Sequence, residues 1–485
     1  MKRILIASLM LALPFGYAVE DPELPEGVKL VEHDASLFLP DPKYKKRVYD
    51  PKAQQAIYGG KRAVKTQRPL LELGREMYSE GGYDPAFKFF GELNPSNPQL
   101  LVYGDWRTAI AVNDNGAGDE SLIATRLNLD IDFKLTATER LHAFITPMEK
   151  DGRFTRYVLD SEGSKEEFEG EADGELDTLY FEGDFGRIAE GLLGSYNKID
   201  LPIAVGLMPF IMQNGIWAED AFTGAAVTLP ARNSRVLNIS NYDVTLFTGW
   251  DRISSPAFAG EDENDVQLYG ASFWADANNG YWEMGYAYLE AENDALSYHN
   301  FAAAFTRRYF DRIGNSIRVI GNTGQDGIDG KKTADGYLFV IENSLVTRLP
   351  STLVPYFNLF YGVDTPQSLM RAGGAGGILK NTGINFETDG LTGFPKLTDT
   401  GADSYGGAIG VNYLFNLDRQ LVVEAAAVMK DNDDAPDGDE YGLGIRYQKP
   451  LNNAMIMRLD GMVGFIDGGE RQDLAGARAE FRWKF

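Results

Sequence analysis

The sequence predicts an all-β fold, a transmembrane antiparallel β-barrel of about eighteen strands, on three observations. These are an export signal, period-two alternation of apolar with charged residues, and connections that alternate between short and long. The signal comes first: Lys2 and Arg3 precede the apolar run Ile4 to Leu13, and Pro14 and Gly16 break it. Gly16 and Ala18 then stand three and one positions before a cut ahead of Val19. The run is too short to be a permanent span of about twenty apolar residues. Residues 1–18 are therefore expected to be removed, 19–98 to form an N-terminal extension and 99–485 the barrel.

No later stretch approaches about 18 consecutive apolar residues, so a membrane would have to be crossed by strands. The chain contains no cysteine. An exported chain of this length without disulfides gains stability from a sheet that closes on itself and pairs its backbone groups. Charge narrows the function classes. After loss of Lys2 and Arg3 from the 46 basic residues, 44 stand against 71 acidic ones, a net charge of −27. Such a surface repels nucleic acid, and no nucleic-acid partner is expected.

Alternation is clearest at the C-terminus. Ala475, Ala477, Ala479, Phe481, Trp483 and Phe485 are apolar, with Arg478, Glu480, Arg482 and Lys484 between them. Leu127, Leu129, Ile131, Phe133 and Leu135 alternate in the same way with Asn128, Asp130, Asp132 and Lys134. Burying those charges in a dry sandwich would cost several kcal/mol each unless paired, whereas a wet lumen accepts them. One face is thus expected to meet hydrocarbon and the other to line an aqueous hole.

Counting back from Phe485 gives eighteen candidate strands, among them 201–210, 234–240 and 241–250. Sixteen or twenty fit the same pattern, and 185–200 reads as an irregular turn or a missed hairpin. Tight connections, such as Ala277 to Asn279 and Lys449 to Asn452, alternate with long ones at 149–174, 211–233, 251–264, 363–402 and 431–438. Short turns inside and long loops outside place both mature termini in the periplasm. The extension is acidic over Val19 to Pro40 and basic over Lys43 to Arg75, with helix candidates Pro51 to Tyr58 and Pro69 to Tyr78. A lumen plug and a periplasmic tail both fit it.

With Phe485 toward lipid, the inward set includes Arg126, Asp130, Asp132, Glu424, Arg446, Arg458, Asp460, Arg478, Glu480 and Arg482, with Glu440 beside them. Rows of opposite charge across a pore orient dipolar solutes. The stretch Ile211 to Asn233 has the length to fold inward as a constriction loop, with Trp217, Glu219, Asp220 and Arg232 as its candidates.

The signal, the terminal strand and the patterning of Leu100 to Phe485 resemble Gram-negative outer-membrane porins. Strand number and charged interior are similar to the alginate-export family, and Val205 to Phe210 resembles a strand motif of phosphate-selective porins. The resemblance implies a bacterial outer-membrane channel for passive diffusion of small polar or charged solutes. It also implies contact with outer-membrane lipid and lipopolysaccharide, recognition of the strand ending in Phe485 by the barrel-insertion machinery, and an oligomeric state open up to a homotrimer. No substrate is carried over, because the sequence shows no dense run of arginines.

Two other readings stay open: a scaffold barrel threaded by a partner protein, and an outer-membrane hydrolase. The second lacks support. With no Cys and only His33, His142 and His299, thiol chemistry is excluded and a multi-His metal site is not expected. No Gly-x-Ser-x-Gly elbow accompanies the histidines, Asp431 to Glu440 lacks the order of a calcium loop, and no cofactor is expected.

Overall fold

The computed structural model describes residues 68–75, 87–116, 118–150, 152–161, 167–258, 266–387, 390–431, 438–468 and 471–485. All belong to the second of the two units into which the chain divides, Thr66–Phe485. The export signal, His33, the acidic stretch, most of the basic stretch and the helix candidate Pro51 to Tyr58 lie outside the described residues.

Eighteen antiparallel strands form the wall: β1 (Gln99–Asp114), β2 (Asp119–Lys134), β3 (Arg140–Ile145), β4 (Leu176–Asp184), β5 (Pro202–Met212), β6 (Ala218–Ser234), β7 (Ile239–Asp251), β8 (Gln267–Ala277), β9 (Gly280–Glu290), β10 (Tyr298–Tyr309), β11 (Ile313–Thr323), β12 (Asp335–Leu345), β13 (Leu353–Thr365), β14 (Ser404–Tyr413), β15 (Gln420–Lys430), β16 (Asp439–Pro450), β17 (Met455–Asp467) and β18 (Leu474–Lys484). Each pairs with its neighbours in sequence, and β18 returns to pair with β1 from Asp105↔Lys484 to Asp114↔Ala475. The ring of eighteen strands therefore closes on itself, which is what a sheet in hydrocarbon requires.

Alternation sorts the side chains as the period of two demands. On β1, Trp106, Ile110 and Val112 are exposed on the outer surface while Arg107, Ala109 and Ala111 are buried toward the bore. Phe481 and Trp483 of β18 lie outside, with Arg478 and Glu480 inside. Because the strand number is even, β1 starts and β18 finishes at one end, called here the terminal end.

Where β1 runs below the last residue of β18, its edge is covered by a short strand, Leu71–Gly74, paired from Leu71↔Val102 to Gly74↔Gln99. Phe485 and Gly104 exchange backbone hydrogen bonds at 2.9 and 3.1 Å just above it. These residues fall within the helix candidate Pro69 to Tyr78, which the structure corrects: an open β1 edge captures the segment, and Gly74 leaves it at a φ of 85°.

The stretch 185–200 is neither an irregular turn nor a hairpin. It opens with a helix, α1 (Phe185–Leu193), capped by Asp184, whose side chain accepts the Arg187 N–H at 2.8 Å. Gly194 ends it in the left-handed conformation and returns its N–H to the Glu190 carbonyl.

Two further expectations change around β5 and β6. The candidate strand 234–240 is mainly a tight turn, and 218–234, expected within a loop, is strand β6. The total of eighteen survives because one error offsets the other. The far ends of β5 and β6 extend beyond the pairing of β6 with β7, which ends at Thr223↔Asp251. This hairpin turns into the bore, where its tip rests against β9 and β10. Gln213 Nε2 donates to the Glu283 carbonyl at 3.3 Å, and Trp217 Nε1 donates to Asn300 Oδ1 at 2.8 Å.

The connection between β13 and β14, residues 366–403, also folds inside. Its Leu369, Met370, Leu379, Phe386 and Leu397 are fully buried in one apolar cluster with Trp217, Phe222, Leu268, Leu289, Tyr298, Ile320 and Leu338. The expectation that the inward half of each strand borders water therefore fails away from the terminal end. There the inward residues of β6 to β12 are largely apolar, and the inserted segment keeps them dry.

Gly285 makes this packing checkable, since a Cβ there would lie 2.1 Å from the Trp217 ring. Gly285→Val is expected to cost about 1–3 kcal/mol by overpacking. The readout is a lower unfolding midpoint in detergent with loss of near-ultraviolet dichroism from Trp217; an unchanged midpoint contradicts the packing.

Candidate pore constriction

Sheet closure assembles a basic wall that no linear run announces. Arg482, Arg107 and Arg126 sit in direct register on β18, β1 and β2. Asp460 on β17 is flanked in register by Arg446 on β16 and Arg478 on β18, and Arg458 lies on its own strand. Five consecutive strands thus carry six inward arginines.

Carboxylates are threaded between them. Asp460 accepts from Arg446 Nε at 2.7 Å, from Arg458 Nε at 2.8 Å and from Arg478 Nη2 at 3.0 Å. Arg107 makes a two-pronged contact with Glu480, at 2.8 and 3.2 Å. Arg482 lies 3.6 Å from both Asp105 and Glu480, and Arg126 lies 3.4 Å from Glu149. Glu387 of the inserted segment reaches Arg446 at 2.5 Å and Arg458 at 3.5 Å. Six guanidiniums therefore meet five carboxylates within ion-pair distance, and Asp130 and Asp132 on the inward face of β2 add further acid to the same strip.

The inserted segment crosses the bore and is pinned on several sides. On β10 and β11, Asn300 and Asn322 donate to the Gln367 carbonyl at 3.1 and 3.2 Å. On β6, Glu219 accepts from Lys380 at 2.9 Å, Asn381 at 3.1 Å and Arg371 at 3.3 Å. Arg371 also donates to the Gly215 carbonyl. Burial lowers the Arg371 pKa below the ordinary guanidinium value, and Glu219 opposes the shift.

On β15, Glu424 accepts from the Ile384 and Asn385 N–H groups at 3.1 and 2.9 Å and from the Tyr356 hydroxyl at 2.5 Å. On β16, Glu440 accepts from the Thr398 N–H and hydroxyl, both at 2.6 Å. On β1, Asn113 donates to the Thr392 carbonyl at 2.6 Å. Phe394 places its ring 5.1 Å from the Arg478 guanidinium.

All ten residues expected to point inward share the inward face of their strands. They are not equivalent. Glu424 is buried beneath the inserted segment and serves as its latch, whereas Arg126, Arg446, Arg458 and Arg482 keep part of their side chains accessible. Asp130 is partly buried, and Asp132 lies 3.8 Å from His142, which also approaches Glu182 at 3.2 Å and stacks on Tyr180.

Of the four loop candidates, Trp217, Glu219 and Asp220 lie in the inturned hairpin. Arg232 does not: it is exposed near the terminal end of β6, because the stretch holding it is a strand that runs the height of the wall. The sequence reading missed Arg107, Glu387, Arg371 and Lys380. Arg107 follows the same alternation as its strand and was recoverable. The apolar residues Leu369, Ile378, Phe386, Leu391 and Leu397 in a supposed outer loop were the signal that it is buried.

Asp460→Asn is expected to leave three arginines short of charge and to cost about 3–5 kcal/mol, the usual range for breaking a buried ion network. Glu424→Ala is expected to release the segment, seen as faster amide exchange over 383–387 with β15 still protected. Equal protection in both proteins contradicts the latch.

No family model matches the chain, and no curated protein sequence matches it. Solved structures do, at the level of fold. Pseudomonas aeruginosa OccK5 (OpdH) is similar with a TM-score of 0.51 at 10% identity, over 80% of this chain and 98% of that one. OccK2 (OpdF) of the same organism gives 0.51 at 11% identity, over 80% and 97%. OccK3 (OpdO), also from that organism, gives 0.50 at 12% identity, over 80% and 95%. The chain therefore has the closed-barrel fold of these proteins.

Proposed function

We propose that the chain is an outer-membrane channel for passive diffusion of small polar or charged solutes, narrowed where the inserted segment faces the arginine wall. The observation that carries this reading is the pairing of an apolar outer surface with a bore that keeps a charged strip on β16 to β2 while the opposite side is filled. A structural barrel has no need of six inward guanidiniums, whose desolvation is costly unless water or solute reaches them. The near balance of cation and carboxylate gives a local field that orients dipolar solutes. Arg126, Arg446, Arg458 and Arg482 are the residues proposed to meet the solute, with Glu387 and Phe394 opposite.

The scaffold reading fits less well. A threaded partner would have to displace a segment latched to β1, β6, β10, β11, β15 and β16. Outer-membrane lipid and lipopolysaccharide meet the outer surface, and Phe485, at the end of β18 beside the seam, is the signal offered to the insertion machinery.

Purified full-length protein in planar bilayers is expected to give discrete, ohmic current steps. Replacing Arg446, Arg458 and Arg478 with glutamine leaves Asp460 and Glu387 uncompensated and is expected to move the reversal potential in a salt gradient toward cation preference. Absence of any current from correctly folded protein contradicts the channel; unchanged selectivity contradicts the placement of the constriction.

A further inference from the structure

Six of the eight connections at the terminal end carry a large apolar residue on their exposed surface. They are Leu193 at the end of α1 (76% exposed), Val236 between β6 and β7 (95%), Phe310 between β10 and β11 (86%), Leu349 between β12 and β13, Leu417 between β14 and β15, and Leu451 between β16 and β17. Exposing one such side chain is ordinary; repeating it around a rim is not.

A second, independent observation falls on the same connections. Lys198, Arg235, Arg312, Arg348 and Lys449 stand on or beside five of these six and make no ion pair among the described residues. That is unexpected in a chain of net charge −25, where carboxylates are plentiful. Acid does stand on these connections, in Glu190, Asp200, Asp311 and Asp418, but Glu190 pairs with Arg187 and Asp418 with Arg419, and none comes within ion-pair distance of the five cations. The Ala277 to Asn279 connection provides an internal control, since it has neither an apolar tip nor a cation.

We propose that the terminal-end rim is a docking surface for the anionic glycerophospholipid leaflet around the barrel. The apolar tips enter the acyl boundary, and the unpaired lysines and arginines hold headgroup phosphates. A protein partner would engage one sector of the ring, whereas a bilayer meets the whole circumference. The rim continues the apolar outer wall, so no new surface has to be desolvated. Apolar side chains flanked by cations on long stems suit the headgroup boundary, where the stem stays in apolar surroundings and the charge reaches phosphate. The proposal needs only a membrane-spanning barrel and is independent of what passes through it.

The absence of native cysteine allows a clean test. Val236→Cys, Phe310→Cys, Leu349→Cys and, as control, Asn278→Cys are spin-labelled singly in the full chain. Each is reconstituted in phosphatidylcholine alone or mixed with phosphatidylglycerol. The first three labels are expected to relax more with oxygen than with a water-soluble nickel chelate, and Asn278→Cys the reverse. The contrast is expected to grow with phosphatidylglycerol and to shrink when Arg235→Gln and Arg348→Gln are added.

Four aqueous labels overturn the proposal. So do labels shielded from both reagents until residues 19–65 are deleted, which would make the chain's own extension the occupant. Immersion that ignores phosphatidylglycerol and the glutamine substitutions overturns the assignment to anionic lipid. Current recorded from the same proteoliposomes reports separately on the channel.

Discussion

The molecule is organised by the need to pair the backbone N–H and C=O groups of its wall where no water can. Closure of β18 on β1 meets that need for the ring as a whole, and the strand Leu71–Gly74 meets it where β1 outruns its partner. Once the ring is closed with an even number of strands, the period of two leaves each residue one choice of face. The outward face then takes the aromatic and aliphatic set, and most charged residues of the strands turn to the bore. The two inward folds, the β5–β6 hairpin and the segment 366–403, follow from that confinement, because they cover apolar inward residues that would otherwise face water.

Electrostatics decides where the fill stops. Buried carboxylates are expensive unless fully hydrogen-bonded. Glu424 and Glu440 meet this condition by taking backbone N–H groups of the inserted segment, so each satisfies itself by holding the segment down. Asp460 meets it differently, with three arginines and no backbone donor among its described partners. The segment consequently lies flat against β15 and β16, touches β1 through Thr392, and meets the arginines of the wall through Glu387 and Phe394. Arginines interleaved with carboxylates on β16 to β2 give that wall its chemical character, and Arg126, Arg446, Arg458 and Arg482 keep part of their surface open.

Much of this was legible in the sequence, for a physical reason: alternation is a local property that survives translation into structure unchanged. Strands such as Leu474–Lys484 and Asp119–Lys134 announce both their existence and their faces. β6 did not, because the adjacent Glu219 and Asp220 put charge on both faces and Pro230 interrupts the run. Its far end, 218–222, leaves the wall for the bore and is under no pressure to keep an apolar outer face. The arginine wall was legible residue by residue and illegible as a unit, since Arg107, Arg126 and Arg482 become neighbours only through the seam. The inserted segment reads as an outer loop by its length alone, whereas its apolar residues report burial more directly.

The closed seam is the claim on which the rest stands, and cross-linking in this cysteine-free chain tests it. Thr108 and Phe481 are register partners on the outer face, whereas Glu480, one residue away, points inward. Thr108→Cys with Phe481→Cys is predicted to form an intramolecular disulfide on oxidation of the folded protein, while Thr108→Cys with Glu480→Cys does not. A link in the second pair alone, or in neither, would contradict the barrel as described.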